Sequence, residues 1–246
     1  MSKKLPPSKI IKLALPIAAS VVFLSACGGG GSGASTTPTT PTVPAVTSFA
    51  LQSGYKARLA NGNVGNYTVS GTCAGSAAIS ISSPSATTFE GAQALSVVST
   101  ITLNFTNCTP ASAASTATGY YDSNYNPLGH SVSGTEYGKF LTIPTALPTS
   151  VKVGDTAIYG TETIYTDSTK TTTTGQRNLS YVIEADGTST STSIANLITK
   201  QFNTANQLLF TQQSRYRMAA DGTLTNLSID VQYSTTSTNH LLYTAN

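Results

Sequence analysis

Alternation of apolar and polar residues, interrupted by turn dipeptides, is the feature that most constrains the fold of this chain. In the last hundred residues it marks six runs, Thr156–Thr166, Gln176–Ala185, Ser191–Phe202, Gln207–Ala219, Thr223–Tyr233 and Asn239–Thr244. Asp186-Gly187 and Asp221-Gly222 separate neighbouring runs, and such dipeptides favour tight β-turns. The pattern predicts an antiparallel meander, in which only residues 194–202 fit a helix as well as a strand.

The hairpin around Asp221-Gly222 allows a prediction of register. A two-residue loop would place Tyr216 opposite Leu227 and Ser214 opposite Ile229, which gathers the apolar residues on one face. Arg215 and Arg217 then lie on the other face with Asp230. Two alternatives follow for this polar face, a diagonal pair between Arg215 and Asp230 or an anion clamp formed by the two arginines.

The first half of the body is also rich in strand-forming residues. Residues 55–59 and 67–71 flank Asn61-Gly62 and predict a hairpin, and residues 77–82, 95–105 and 137–143 are further strand candidates. Pro144 and Pro148 then interrupt the chain and suggest a boundary. The predicted fold class is all-β, an antiparallel meander, sandwich or half-barrel, formed as one unit or as two small subdomains at 48–145 and 146–246.

The first residues of the chain have the features of an export signal. Lys3, Lys4, Lys9 and Lys12 precede a twelve-residue apolar run that ends at Leu24, and no acidic residue occurs before Glu90. That run is shorter than the roughly 20 apolar residues that span a bilayer. A basic start, a short apolar core and the small residues that follow predict a signal peptide over residues 1–26.

The end of this segment, Leu24-Ser25-Ala26-Cys27, resembles the lipobox of bacterial lipoproteins. The resemblance implies that the Cys27 thiol receives a diacylglyceryl group, that cleavage occurs before Cys27, and that the new amino group is also acylated. Two or three acyl chains anchor a protein stably to a membrane, because each buried CH₂ adds roughly 0.8 kcal/mol. Lipoproteins retained in the inner membrane tend to carry aspartate directly after the cysteine. This chain has Gly28 at that position, so the resemblance implies that the protein is located in the bacterial outer membrane, facing the periplasm or the cell surface.

Residues 27–47 predict a tether between the lipid and the folded body. The segment from Gly28 to Pro44 contains no charge, is rich in Gly, Ser and Thr, and has prolines at 38, 41 and 44. Such a composition cannot form a core, and prolines at intervals of three favour extended polyproline II. Seventeen residues of this kind reach roughly 25–45 Å.

Charge and cysteine content narrow the function further. Once the signal lysines are removed, nine basic and ten acidic residues remain, so no basic patch points to a nucleic acid. With Cys27 assigned to the lipid, Cys73 and Cys108 remain as an even pair in an oxidising compartment. They predict one disulfide in the first half of the body; a catalytic thiol is the alternative, although neither has a Cys-x-x-Cys partner.

Residues 120–126 are the stretch with the most chemical character. Asp122, Asn124 and Asn126 place oxygen ligands at alternate positions, as a calcium loop begins, but no acidic ligand follows at the twelfth position. A polar turn closed before Pro127 is the preferred interpretation, so no metal and no cofactor are predicted. Tyr120, Tyr121 and Tyr125 suggest a partner or glycan surface, or simply the closure of a sheet end.

The sequence contains no catalytic motif, and its only histidines are His130 and His240. The leading hypothesis is a non-enzymatic, membrane-anchored envelope lipoprotein that binds an unknown partner or has a structural role, similar in general to β-rich lipoproteins of unknown function. One alternative is a carrier of an acyl or lipid ligand in a half-barrel, with Tyr159, Ile183 or Phe210 lining an apolar concavity. Another is an envelope-polymer hydrolase, which needs a histidine beside a carboxylate and a nucleophile.

Overall fold

One helix and fifteen strands are present in the computed structural model, which describes residues 3–4, 46–187, 189–234 and 239–246. The predicted lipobox, Cys27 and the tether to residue 45 lie outside the described residues. The elements are β1 (Lys3–Lys4), α1 (Leu51–Asn61), β2 (Asn63–Gly71), β3 (Gly75–Ile81), β4 (Ser85–Phe89), β5 (Ala92–Phe105), β6 (Cys108–Thr109), β7 (Ser112–Tyr121), β8 (Pro127–Val132), β9 (Glu136–Phe140), β10 (Thr156–Tyr165), β11 (Thr173–Ala185), β12 (Thr192–Asn203), β13 (Leu208–Ala219), β14 (Leu224–Tyr233) and β15 (His240–Ala245).

Twelve of these strands form a closed antiparallel barrel. Strands β7 to β15 pair in chain order, β15 pairs with β2, β2 pairs with β3, and β3 pairs with β5, which returns to β7. Strand β4 extends the sheet beside β5, and β1 pairs in parallel with β6. The all-β prediction is confirmed, and strands from both predicted segments, 48–145 and 146–246, belong to one closed sheet.

The six predicted C-terminal strands are confirmed within a few residues as β10 to β15. The alternation that predicted them places Leu179, Tyr181 and Ile183 inside the barrel, with Asn178, Ser180 and Val182 on the outer side. Residues 194–202 lie in strand β12 rather than in a helix, because their alternate residues pack inside the barrel.

The hairpin predicted around Asn61-Gly62 is wrong, since residues 51–61 form helix α1. Leu51, Tyr55 and Leu59 recur every fourth residue and are buried, which is the spacing of one helix face. Gly62, at φ 66°, ends the helix in a left-handed conformation that glycine adopts without strain. Within the described ranges, no helix is both long and apolar enough to cross a membrane.

Helix α1 lies across one end of the barrel, which we call the helix end. Its first turn contacts the β13–β14 turn so closely that a Cβ on Gly54 would lie 1.8 Å from the Gly222 carbonyl oxygen. Just before the helix, Phe49 forms a backbone bridge with Val151. Leu51, Tyr55 and Leu59 thereby join the apolar core formed by the inward residues of β10 to β13.

The register of the β13–β14 hairpin is confirmed in part. Ser214 lies opposite Ile229 as predicted, whereas Tyr216 lies opposite Asn226 rather than Leu227. The loop is one residue longer on the β13 side than the predicted two-residue loop. A bulge at Arg215/Tyr216 then restores the predicted pairing farther along the strands. The bulge keeps the apolar residues of both strands inside the barrel.

The opposite end, which we call the disulfide end, is cross-linked. Cys73, in the β2–β3 turn, is bonded to Cys108 after β5, as predicted. Both cysteines are buried in a second apolar cluster with inward residues of β2, β3, β5 and β13 to β15. The disulfide therefore joins two chain reversals at the end away from the helix.

Candidate functional site

A buried ionic network lies inside the barrel on the side formed by β8 to β12. Its members are His130 on β8, Glu136 on β9, Glu162 on β10, Arg177 on β11 and Gln201 on β12. They face one another because Glu162 pairs with Arg177 and Arg177 with Gln201 in the strand register. Arg177 has no exposed surface, and the two glutamates are 2% and 4% exposed.

Arg177 is the centre of this network. Its Nη2 donates to Glu136 Oε1 at 2.6 Å and to Gln201 Oε1 at 2.7 Å, and its Nη1 lies 3.2 Å from Glu162 Oε2. Gln201 Nε2 in turn donates to the second oxygen of Glu136 at 3.0 Å. Both carboxylates are therefore bound by charged or amide donors, as buried charges require.

His130 contacts both carboxylates and Arg177. Its Nδ1 lies 2.8 Å from Glu162 Oε1 and its Nε2 lies 2.9 Å from Glu136 Oε1, so both ring nitrogens face carboxylate oxygens. Arg177 Nη1 lies 3.1 Å from Nδ1 and 2.9 Å from Nε2. The two carboxylates favour a protonated ring, whereas the guanidinium, which can only donate, disfavours it.

The pKa values of these groups follow from the same contacts. Burial and the Arg177 charge each lower the pKa of His130, but the charge of Glu162 and the hydrogen bonds to both carboxylates outweigh them, and the pKa is raised. Burial by itself raises the pKa of Glu136, but the Arg177 charge and the His130 hydrogen bond hold that pKa well below its usual range. Both shifts favour the charged forms.

A cavity of about 80 Å³ lies beside this network, beneath helix α1. His130 and Glu162 form part of its wall, and Arg58 and Tyr55 reach it from the helix. The remaining polar lining comes from Ser99, Tyr121, Tyr159, Gln212, Ser214 and Tyr216. The cavity thus has aromatic walls and several hydroxyl groups, together with charged groups from the helix and the network.

The tyrosines of the cavity provide neutral hydroxyl groups. Burial raises the pKa of Tyr55 and of Tyr159 well above the ordinary value, and burial also raises the pKa of Tyr121. They stay protonated at neutral pH and can donate as well as accept hydrogen bonds. The Ser99 Oγ is buried with no hydrogen-bond partner, although buried hydroxyls normally have one.

The size of the cavity restricts what it can hold. A volume of about 80 Å³ accommodates several water molecules or a ligand of a few heavy atoms. Pockets for drug-sized ligands measure about 300–1,000 Å³. Of the residues expected to line a lipid pocket, Tyr159 lines the cavity, whereas Ile183 is packed in the core and Phe210 contacts Tyr233 in the second cluster. The volume of this cavity does not favour the lipid-carrier hypothesis, which stays a prediction.

The hydrolase hypothesis requires either His130 or His240 beside a carboxylate and a nucleophile, and the two histidines lie in different places. Both ring nitrogens of His130 are held by carboxylates, so neither is left for a serine hydroxyl. His240 is on the outer side of β15, where its Nε2 lies 2.9 Å from Asp230 Oδ1. The partner of this ring nitrogen is a carboxylate and not a serine hydroxyl.

The predicted oxygen-rich loop is a self-contained turn. Asp122 Oδ1 accepts from the backbone N–H groups of Asn124 and Asn126, at 2.7 and 2.9 Å. Asp122 Oδ2 accepts from the Asn126 side-chain amide. These bonds are those of an Asx-turn, so the loop geometry is explained without an ion. In the described part of the chain, no group of three or more His, Cys, Asp or Glu side chains is placed to hold a metal.

The three tyrosines predicted as a partner surface point in different directions. Tyr120 lies on the outer wall, stacked on Phe89 with ring centroids 4.5 Å apart. Tyr121, the next residue in the strand, points inward and lines the cavity. Tyr125 lies in the loop beside helix α1, at φ 63°. The structure does not bring them together as one surface.

The two arginines on the outer face of β13 bind carboxylates from β11 and the turn that follows it. Arg215 Nε lies 3.3 Å from Glu184 Oε2, and Arg217 Nε lies 2.7 Å from Asp186 Oδ2. The expected partner of Arg215, Asp230, binds His240 instead. The Arg215–Asp230 pair is therefore wrong, and each guanidinium of the alternative clamp has a carboxylate partner.

Sequence reasoning missed Glu136, Glu162, Arg177 and Gln201 as site residues. A signal was present on β11, where Arg177 occupies the same alternating phase as the inward residues Leu179 and Tyr181. A charged residue in the apolar phase of a strand is rare and requires a buried partner. The partner residues follow only from the exact register of the consecutive strands β8 to β12 and from the curvature that brings β8 and β9 to Arg177 on β11.

Comparison of the chain with protein-family models, with curated proteins and with solved structures finds no match.

Proposed function

We propose that this protein is a lipid-anchored, non-catalytic binding module of the bacterial outer membrane, and that its barrel cavity binds a small polar molecule. The cavity beneath helix α1 carries this proposal. It is lined by tyrosine side chains, by Ser99, whose Oγ has no hydrogen-bond partner, and by part of the ionic network. Convergent polar groups in an otherwise apolar pocket are typical of ligand sites.

The fixed network gives the cavity a rigid wall. Every ionisable member is bonded to another, so the charges of His130 and Glu162 are held in place before a ligand arrives. A preorganised polar wall loses little conformational freedom on binding, which favours affinity for a small ligand. Both ring nitrogens of His130 face carboxylates, which supports binding rather than turnover.

Ligand-observed NMR with acetamide, acetate, 2-propanol and benzene tests the cavity. We expect at least one polar fragment to give saturation transfer, while benzene, which makes no hydrogen bonds, gives little. Ala117→Leu adds apolar volume to the cavity wall and should abolish that signal. Ala114→Leu, at an exposed position on the same strand, is the matched control. Binding that survives Ala117→Leu, or the lack of any polar fragment signal, would refute the cavity assignment.

The lipid anchor is tested separately. Growth of an expressing bacterium with radiolabelled palmitate should label the wild-type chain and the tether control Ser32→Ala, but not Cys27→Ala. Outer-membrane fractionation of the same cells tests the location. Equal labelling of wild type and Cys27→Ala would overturn the lipoprotein assignment without affecting the cavity.

A further inference from the structure

Exposed apolar side chains are concentrated in one segment of the described chain. Of its seven large hydrophobic residues with substantial exposure, four lie within residues 141–158. Leu141 and Ile143 are each 71% exposed, Ile158 is 69% exposed, and Val153 is 49% exposed. Single exposed hydrophobic residues are ordinary, but a group of them in one place marks an interaction surface.

These four side chains, which we call the apolar rim, belong to the helix end of the barrel. The segment leaves β9 after Phe140, passes Val151, which bridges to Phe49 before helix α1, and enters β10 at Thr156. Thr145 N donates to the Tyr159 carbonyl oxygen, which holds the segment against the start of β10. The rim is therefore attached to the barrel by backbone hydrogen bonds.

The predicted tether reaches the barrel at the same end. Val46, near the end of the predicted 27–47 tether, donates its N–H to the Thr190 carbonyl oxygen in the turn between β11 and β12. The described chain therefore enters the folded body at the end of the barrel that carries the rim. Lys152 and Asp155 are the charged residues of this segment and balance each other, so the rim is apolar without a net charge.

We propose that the apolar rim docks onto the lipid bilayer to which Cys27 is anchored, so that the helix end faces the membrane. The inference rests on the lipid anchor of the proposed function. A tether of this length allows the body to stand roughly 25–45 Å away, so contact requires a surface that prefers lipid to water. The rim supplies that preference, and the disulfide end then points away from the membrane.

The test uses the full lipidated chain, reconstituted in vesicles of phosphatidylethanolamine and phosphatidylglycerol. An environment-sensitive fluorophore is placed on Leu141→Cys, and on Ala205→Cys at the disulfide end as the control. Apolar residues at an interface enter roughly 5–10 Å into the headgroup and acyl boundary. We expect a blue shift at position 141 and loss of most of its emission with nitroxide-labelled lipids, and neither effect at position 205.

A second pair of variants separates docking from folding. Ile143→Asp combined with Ile158→Asp should restore the emission at position 141, whereas Leu209→Asp at the disulfide end should not. Flotation of the vesicles reports the anchor independently. Protein that floats with an unquenched label overturns docking alone, and protein that does not float overturns both proposals. A blue shift that is insensitive to nitroxide lipids would indicate contact between copies and would also overturn membrane docking.

Discussion

Replacement of Arg177 by methionine tests the account of the buried network most directly. Methionine has a similar length and no charge, so the change removes the cation while keeping most of the packing. It leaves Glu136 and Glu162, at 4% and 2% exposure, with His130 as their remaining cationic partner. Removing one partner of a buried ion pair costs about 3–5 kcal/mol, because the other charge stays buried without compensation.

That cost is large for a domain of this size. Folded domains are stable by about 5–15 kcal/mol, and each kcal/mol shifts the melting temperature of a 150–250-residue domain by about 2–4 °C. Arg177→Met should therefore lower the melting temperature by about 6–20 °C. Differential scanning calorimetry at pH 6 measures the shift, and urea titration measures the free energy of unfolding.

Arg215→Met is the matched control, since Arg215 binds Glu184 on the outer wall with both side chains about one-third exposed. Exposed pairs contribute about 0–1 kcal/mol, so this variant should melt close to wild type. The double variant Arg177→Met/Glu136→Gln should recover part of the loss, because it removes one uncompensated carboxylate. Equal destabilisation by Arg177→Met and Arg215→Met would refute the reasoning.

Three further predictions concern pH, the disulfide and the helix contact. Because the pKa of His130 is raised on folding, the contribution of its protonation to stability is complete below about pH 6.5 and is lost as pH rises through the pKa of the folded state. The melting temperature should therefore fall from pH 6 to pH 9. His130→Gln should flatten this dependence of melting temperature on pH. Joint replacement of Cys73 and Cys108 by serine should lower the free energy of unfolding by about 4 kcal/mol in urea titration, since the bond closes a 35-residue separation. Gly54→Ala should cost about 1–3 kcal/mol, because its Cβ would overlap the carbonyl oxygen of the β13–β14 turn.

Each of these three predictions has a result that would contradict it. A pH profile that flattens in His240→Gln instead of His130→Gln would place the titrating group on the outer wall. Unchanged stability of the double serine variant would show that the loop it closes is already restricted in the unfolded chain. Gly54→Ala with wild-type stability would show that helix α1 can move away from the turn, whereas Ser53→Ala, at an exposed position on the same helix, should have little effect.

The meander was predictable because strand alternation is a local property. Strands β10 to β15 follow from apolar residues at every second position and from turn dipeptides, and a shift of one residue would turn the apolar set outward. The disulfide was predictable because, with Cys27 assigned to the lipid, only two cysteines remained. Helix α1 was not predicted because Asn-Gly is typical of hairpin turns, whereas here Gly62 ends a helix with a positive φ of 66°. The fourth-residue spacing of Leu51, Tyr55 and Leu59 is the signal that indicates the helix.

By itself, the sequence determined an all-β body with inward and outward faces, one disulfide, and the prediction of a signal and tether. The closed barrel was decided by tertiary pairing, since β2 meets β15 only when the two halves of the chain come together. The cavity beneath helix α1 depends on that closure, because its lining comes from the helix and from strands in both halves of the chain. The network around Arg177 comes from the consecutive strands β8 to β12, and a buried charge is stable only where the fold brings it a partner.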